Sequence, residues 1–324
     1  MLRIPCLFFI LSPSLALAVD VPPTGRCQDI QNAIEALPAD GGEVVLSRGQ
    51  YQCEAPIVID RDNVVLRGNG TATILRLADR AEAPVIVIGE TATPPQRVVR
   101  AVRVADLLID GNKDGQMFEC YRGPCETNPL RNNGITVRHA SDILVERVTV
   151  VRARSGGLVT ELGCVRITVR EFTSTINYFD GLAAYETEDS IFTGLRLIDN
   201  GAAGLSFDLR FNNNMITETV IAGSRSVGIF MRDATNNLFN ALQVRSSGEH
   251  GVFLAQVDSD ASKPAARNTF AGLVVSGSAG AGVRVSDLSC VDNVFSGGLL
   301  LANAAGCVSE PTPGLAQTSG LLCR

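Results

Sequence analysis

Apolar positions along this chain change spacing twice. Between residues 27 and 37, Ile30, Ala33, Ile34 and Leu37 recur at helical intervals, and Pro38 with Gly41 and Gly42 ends the run. This predicts one amphipathic helix over about 27–37. Short apolar runs broken by turn residues follow at 43–46, 57–59, 64–66, 85–88 and 102–109, and they read as strands. From Gly134 onward a fixed unit takes over, in which a glycine is followed by an aliphatic residue and then by alternating side chains. Its glycines are Gly134, Gly157, Gly181, Gly204, Gly228 and Gly251, at steps of 23, 24, 23, 24 and 23 residues, with a further copy at Gly282 after a longer insertion. A constant period of this size predicts a solenoid whose turns stack, placing equivalent residues above one another about 4.8 Å apart.

A second register supports the same reading. Phe192, Ile216, Phe239, Phe270 and Phe295 recur at steps of 24, 23, 31 and 25, and Asn214, Asn237, Asn268 and Asn293 each stand two residues before the last four of these. Large apolar residues at one depth form an interior ladder, while asparagines at a repeated corner tolerate turn conformations and bond to neighbouring backbone, a structural role. The expected fold is therefore all-β, a right-handed parallel β-helix with regular coils over about 134–306 and a helical cap at its amino end. Two insertions, 112–133 and 259–267, interrupt the period, and loops grown from a solenoid often wall a binding groove. Residues 19–324 are expected to form a single domain, since a solenoid core grows lengthwise.

Strand alternation sends the residues one and three places after each glycine inward, and those two and four places after it outward. The fourth places read Arg138, Glu161, Tyr185, Asp208, Arg232 and Ala255, and the second places end in Phe230 and Phe253. A charged row beside an aromatic platform suits a polysaccharide lying along the axis. The bland alternative is a solvated face of cross-strand ion pairs, Arg138 with Glu161 and Asp208 with Arg232. Tyr185 within the row, with Asp180, Glu186, Arg210, Asp233, His250 and Gln256 close by, favours the site reading.

Three uses of the row are open. In a uronate lyase or C5-epimerase, Arg232 or Arg138 neutralises the sugar carboxylate while Tyr185, with Glu161 or Asp208, moves protons. In an inverting hydrolase, Glu161 and Asp208 serve as the carboxyl pair, their strands two steps apart and about 9 to 10 Å between backbones, against the about 6.5 to 9.5 Å between carboxyls that the reaction uses. In a noncatalytic protein the groove only holds glycan. The candidate catalytic set is thus Tyr185, Asp208, Arg232 and Glu161, with Arg138, Asp180, Arg210, Phe230, His250, Phe253 and Gln256 as substrate contacts. His250, preceded by Glu249, is also a possible general base.

Composition narrows the setting. Arg3, an apolar run from Leu7 to Leu11 and Ala16-Leu17-Ala18 read as a signal peptide over 1–18, and no later stretch has the about 20 apolar residues of a membrane span. A secreted or periplasmic product is expected. Removal of Cys6 leaves eight of the nine cysteines in an oxidising compartment. Cys27 with Cys53, and Cys120 with Cys125, are the expected bridges, with another among Cys290, Cys307 and Cys323, while Cys164 reads as a free core thiol. A formal charge of -6 argues against nucleic acid as partner. Two histidines and no paired Cys-x-x-Cys leave no zinc site, and Ca2+ could be held only by Asp208 and Asp233 with nearby asparagine oxygens. Neither the sugar nor the oligomeric state is readable.

The segment Leu108-Ile109-Asp110-Gly111-Asn112-Lys113-Asp114, followed after the loop by Ile143-Leu144-Val145-Glu146-Arg147-Val148, resembles the catalytic modules of secreted mannuronan C5-epimerases, within the pectate-lyase-like superfamily. That resemblance implies a right-handed β-helix and a polysaccharide substrate. The family's Asp-Pro-His-Glu stretch falls here on Val159-Thr160-Glu161-Leu162, its second catalytic aspartate on Tyr185 and its later histidine on Ala203, so no catalytic residue carries over with identity. His250-Gly251 offers a His-Gly pair two coils later.

Overall fold

The computed structural model describes residues 18–23, 25–117, 119 and 130–324. Residues 1–17 of the expected signal peptide, and both Cys120 and Cys125, lie outside them. The helix Cys27–Glu35 buries Ile30, Ala33 and Ile34 in the same apolar cluster as Val44, Leu46 and Ile57. Its position is fixed by polar ties as well. Gln31 Oε1 accepts the Val58 N–H at 2.8 Å, Arg61 donates to the Ile34 carbonyl at 3.1 Å, and Cys27 is bonded to Cys53. No described helix is long and apolar enough to cross a membrane.

Beyond the helix the chain winds as a parallel β-helix. One strand per coil enters a ten-stranded parallel sheet in which successive members are neighbours, running from Ile57–Ile59 through Ile135–Arg138, Leu158–Glu161, Leu182–Tyr185, Leu205–Asp208, Ile229–Met231 and Val252–Leu254 to Val308–Ser309. The other strands of each coil, such as Ile191–Thr193 and Arg196–Ile198, build a second parallel sheet around the remaining sides. Ile135, Leu158, Leu182, Leu205, Ile229, Val252 and Val283 lie in register and are fully buried.

The repeat glycines have negative or extended φ, so turn geometry is not why they recur. At Gly157 an added Cβ would stand 1.9 Å from Ser174 Oγ and 2.5 Å from the Gly181 carbonyl oxygen. Only glycine lets the next coil and the opposite wall come so close.

Both interior ladders are present. Phe192, Ile216, Phe239, Phe270 and Phe295 pair coil to coil, the last three with ring centroids 4.4 and 4.6 Å apart. The asparagines link consecutive turns. Asn237 Oδ1 accepts the Asn214 backbone N–H at 2.9 Å, and Asn237 itself donates through Nδ2 to Phe211 O and to Asn268 Oδ1, both at 2.9 Å. Each buried amide is thereby used in full, which removes the penalty of leaving corner N–H groups unpaired.

At the carboxyl end Cys307 is bonded to Cys323, whereas Cys164 and Cys290 are free and buried. Of the two insertions, the described part of the first includes a short 3-10 turn at Lys113–Gly115. The second forms Asp260–Ala266, antiparallel to Gln256–Val257.

Candidate functional site

Two adjoining depressions, of about 710 and 380 Å³, lie along the outer face of the ten-stranded sheet, and Arg131, Phe179, Asp180, Tyr185, Asp208 and Arg232 line both. They form one groove. Its floor is the outward row of the strands, and its wall is the set of turns that leads into the strand glycines.

Asp180 precedes Gly181 and is buried at 5% exposure. Its Oδ1 accepts the Ala203 N–H at 2.8 Å, and among the described residues it has no ion-pair partner. Burial pushes its carboxyl up to about 7, against the opposing pull of that N–H and of Arg131. Tyr185, on the strand that follows, has its phenol raised well above the ordinary value by burial and by the Asp180 charge, so it remains protonated across the working pH range. Arg131 lines the groove with Asp180, Tyr185 and Glu161, and its charge opposes the rise that burial imposes on each. A carboxyl poised near neutrality, a neutral phenol and a cation thus converge where the two depressions meet.

The acceptor role of Asp180 belongs to a pattern. The residue before each repeat glycine runs Asn133, Gly156, Asp180, Ala203, Val227, His250 and Ala281. Asn133 accepts the Gly156 N–H at 2.9 Å, Asp180 that of Ala203, and His250 Nδ1 that of Ala281 at 2.9 Å. A polar side chain at this place bonds the coil that follows it, where the matching residue is small.

The remaining expected site residues divide into those on the groove and those held elsewhere. Glu161, Asp208, Arg232 and Phe230 line it. Glu161 adjoins Tyr185 on one side and Asp208 pairs with it on the other. Arg232 grips Asp208, with Nε 3.0 Å from Oδ2 and a second contact through a terminal nitrogen, and its guanidinium also lies 5.2 Å from the Phe230 ring. The carboxyls of Glu161 and Asp208 are both raised, burial outweighing their arginine partners. Phe230 and Phe253 stack at 5.6 Å, and His250 continues the stack onto Phe253 at 5.9 Å.

Arg138 is not a surface residue. It is 2% exposed, its Nε lies 2.7 Å from Glu161 Oε1, and its terminal nitrogens donate to Glu90 O at 3.1 Å, Thr91 O at 2.8 Å and Thr93 Oγ1 at 2.8 Å. The loop over 90–93 folds down on it, which alternation along a single strand could not reveal. Arg210 turns away to pair with Glu186 at 2.9 Å, and Gln256 is engaged by Ser289 and Asp287 of a later turn. His250 accepts through Nδ1 and its pKa is lowered, by burial first and then by Arg284, so it stays neutral and offers an N–H at Nε2 where a base would offer a lone pair.

Asp208 is occupied by Arg232, and Asp233 accepts the Arg210 N–H at 3.0 Å. Among the described residues no three His, Cys, Asp or Glu side chains gather as cation ligands.

Sequence reasoning passed over Arg131, because it closes the first insertion and lies before the first full repeat. A signal was nonetheless present. Arg131 stands three places before Gly134, as Arg154, Tyr178 and Arg225 stand before Gly157, Gly181 and Gly228.

Stacked parallel coils with a lateral groove define the class of protein, and residues 133–311 match the family described as the right handed beta helix region, to which the chain belongs. Mannuronan C5-epimerase AlgE4 of Azotobacter vinelandii is 26% identical over 174 residues, 50% of this chain and 30% of that protein, so the chain spans under a third of the relative's length. The AlgE4 A-module of Azotobacter vinelandii superposes with a TM-score of 0.55 at 16% identity, over 94% of this chain and 97% of the module. The endo-xylogalacturonan hydrolase of Aspergillus tubingensis gives 0.63 at 12% identity, over 94% and 96% of the two chains. At such identities the structural likeness establishes the fold.

Proposed function

We propose that the groove binds a uronate-containing polysaccharide and that the protein is a lyase or C5-epimerase acting there. The observation that carries this reading is the buried Asp180 carboxyl near neutrality, beside the protonated Tyr185 phenol and the Arg131 cation. Arg131 pairs with the carboxylate of the reacting sugar and stabilises the charge that develops on it when the C5 proton leaves. Asp180, as carboxylate, takes that proton, since a base with a pKa near the working pH combines availability with strength. Tyr185 donates its own proton. Delivered to C5 from the opposite face, it completes epimerisation; delivered to the oxygen on C4 as the C4–O bond breaks and the electron pair from C5 forms a C4=C5 bond, it completes elimination.

Arg131 takes the neutralising role that the sequence had offered to Arg232 or Arg138, because both of those spend their charge on carboxylates within the protein. The AlgE4 relationship supports a uronate substrate. Two disulfides support an exported protein.

A second reading, an inverting hydrolase, rests on Glu161 and Asp208 flanking Tyr185 on one floor. Incubation with a panel of uronate polymers separates the cases. Elimination raises the ultraviolet absorbance of an unsaturated uronate, hydrolysis yields reducing ends without it, and epimerisation changes the uronate ratio without cleavage. Binding with none of these outcomes would leave a glycan-binding protein and overturn the enzymatic reading.

A further inference from the structure

Many arginines on the coil surfaces are matched with carboxylates. Glu146 receives Arg103, Arg147 and Arg170, Asp110 receives Arg76 and Arg152, and Asp142 receives Arg166. The turns on the groove wall carry arginines that are not so matched. Three places before the repeat glycines stand Arg131, Arg154, Tyr178, Gly201 and Arg225, and none of the three arginines forms an ion pair with a described residue. Arg154 lies 4.5 Å from the ring of Tyr178, which is 48% exposed on the groove edge. Arg131 lines the groove together with Asp180 and Tyr185, of the coil of Gly181, and Arg225 is exposed two coils beyond that pair, in the coil of Gly228. Gly201, at this place in the coil between Tyr178 and Arg225, carries no side chain that would block the passage.

We infer that Arg225 forms a second anionic subsite, which takes the carboxylate of the sugar unit two along from the one that reacts at Asp180 and Tyr185; this rests on the uronate reading above. Two coil steps amount to about 9 to 10 Å of wall, close to the length of two pyranose units in an extended chain. In a chain with twofold screw character, alternate carboxylates face the same side. A reacting site and a wall cation two coils apart therefore meet units n and n+2, while unit n+1 turns its carboxylate outward. Besides Asp180 and Asp208, the acidic side chains lining the first depression are Asp199 and Glu249. They disfavour a carboxylate between or beyond the two arginines, which sharpens the register. Phe230, stacked on Phe253, supplies the apolar floor below the distal unit.

The inference is tested by comparing Arg225→Ala with the unaltered protein on oligouronates of two and of five or more units, in binding and in KM. The expected result is a loss of roughly fivefold in affinity for the longer chains, the scale of one exposed ion pair, with a shallower salt dependence. For the dimer the loss is smaller, and Arg225→Lys restores most of the affinity for long chains. Arg166→Ala, on another face of the coil, serves as the control with unaltered binding. An equal loss on both lengths, or none on either, would overturn the subsite. Failure of the unaltered protein to bind any uronate polymer would instead remove the proposed function, and with it the premise of the subsite.

Discussion

Replacing Asp180 with Asn should stabilise the fold and abolish the chemistry together. The native carboxyl is lifted from 3.8 to about 7, chiefly by burial. Between those values the unfolded chain has released its proton and the folded chain still holds it, so the native state binds more protons and stability falls as pH rises. Above pH 7 the full cost is present, and at about 1.4 kcal/mol per pH unit it is about 4 kcal/mol. Asn has the same shape, keeps an oxygen for the Ala203 N–H and carries no charge, so it avoids this cost. At pH 8 the variant should exceed the parent by up to about 4 kcal/mol, or about 8 °C in calorimetric midpoint for a chain of this size. At pH 4 the two should differ by about 0.5 kcal/mol. Scanning calorimetry of both proteins from pH 4 to 8 measures the divergence. A difference that is constant with pH, or a variant less stable at every pH, would refute the placement of Asp180 as a buried carboxyl titrating near neutrality.

Other substitutions probe the frame of the site. Arg138→Ala leaves the half-buried Glu161 without its cation, opens a cavity where the guanidinium was and frees the loop over 90–93, and should cost about 3 kcal/mol in denaturant unfolding. Asn237→Ala strips an acceptor from Asn214 and a donor from Phe211 O and Asn268, and should lower stability by about 2 to 3 kcal/mol, with faster amide exchange confined to the neighbouring coils. Activity on any substrate identified should rise through pH 7 as Asp180 ionises, measured as the pH profile of the rate.

Residues bound to one repeat were legible in the sequence. The spacing of glycines, Phe192 through Phe295 and the corner asparagines fixes which side chains stack, because in a solenoid the period in sequence is the contact map. It also put Glu161, Tyr185, Asp208 and Arg232 on one floor. What escaped came from outside the period. Arg138 looks outward by alternation, yet the irregular loop over 90–93 covers it. Arg131 ends an insertion of no fixed length, so the period does not predict that it lines the groove with Tyr185. The partners that spend Arg138 and Arg232 were legible, because the repeat sets Glu161 and Asp208 one strand step from them; no such register applies to Arg131.

The central claim, that Asp180 moves the C5 proton of a uronate held at Arg131, is tested most directly by incubating the protein with a uronate polymer in deuterated water and following the C5 position by nuclear magnetic resonance. The account predicts deuterium at C5 or loss of the C5 proton with the unaltered protein, and neither with Asp180→Asn. Retention of full activity in that variant would contradict it.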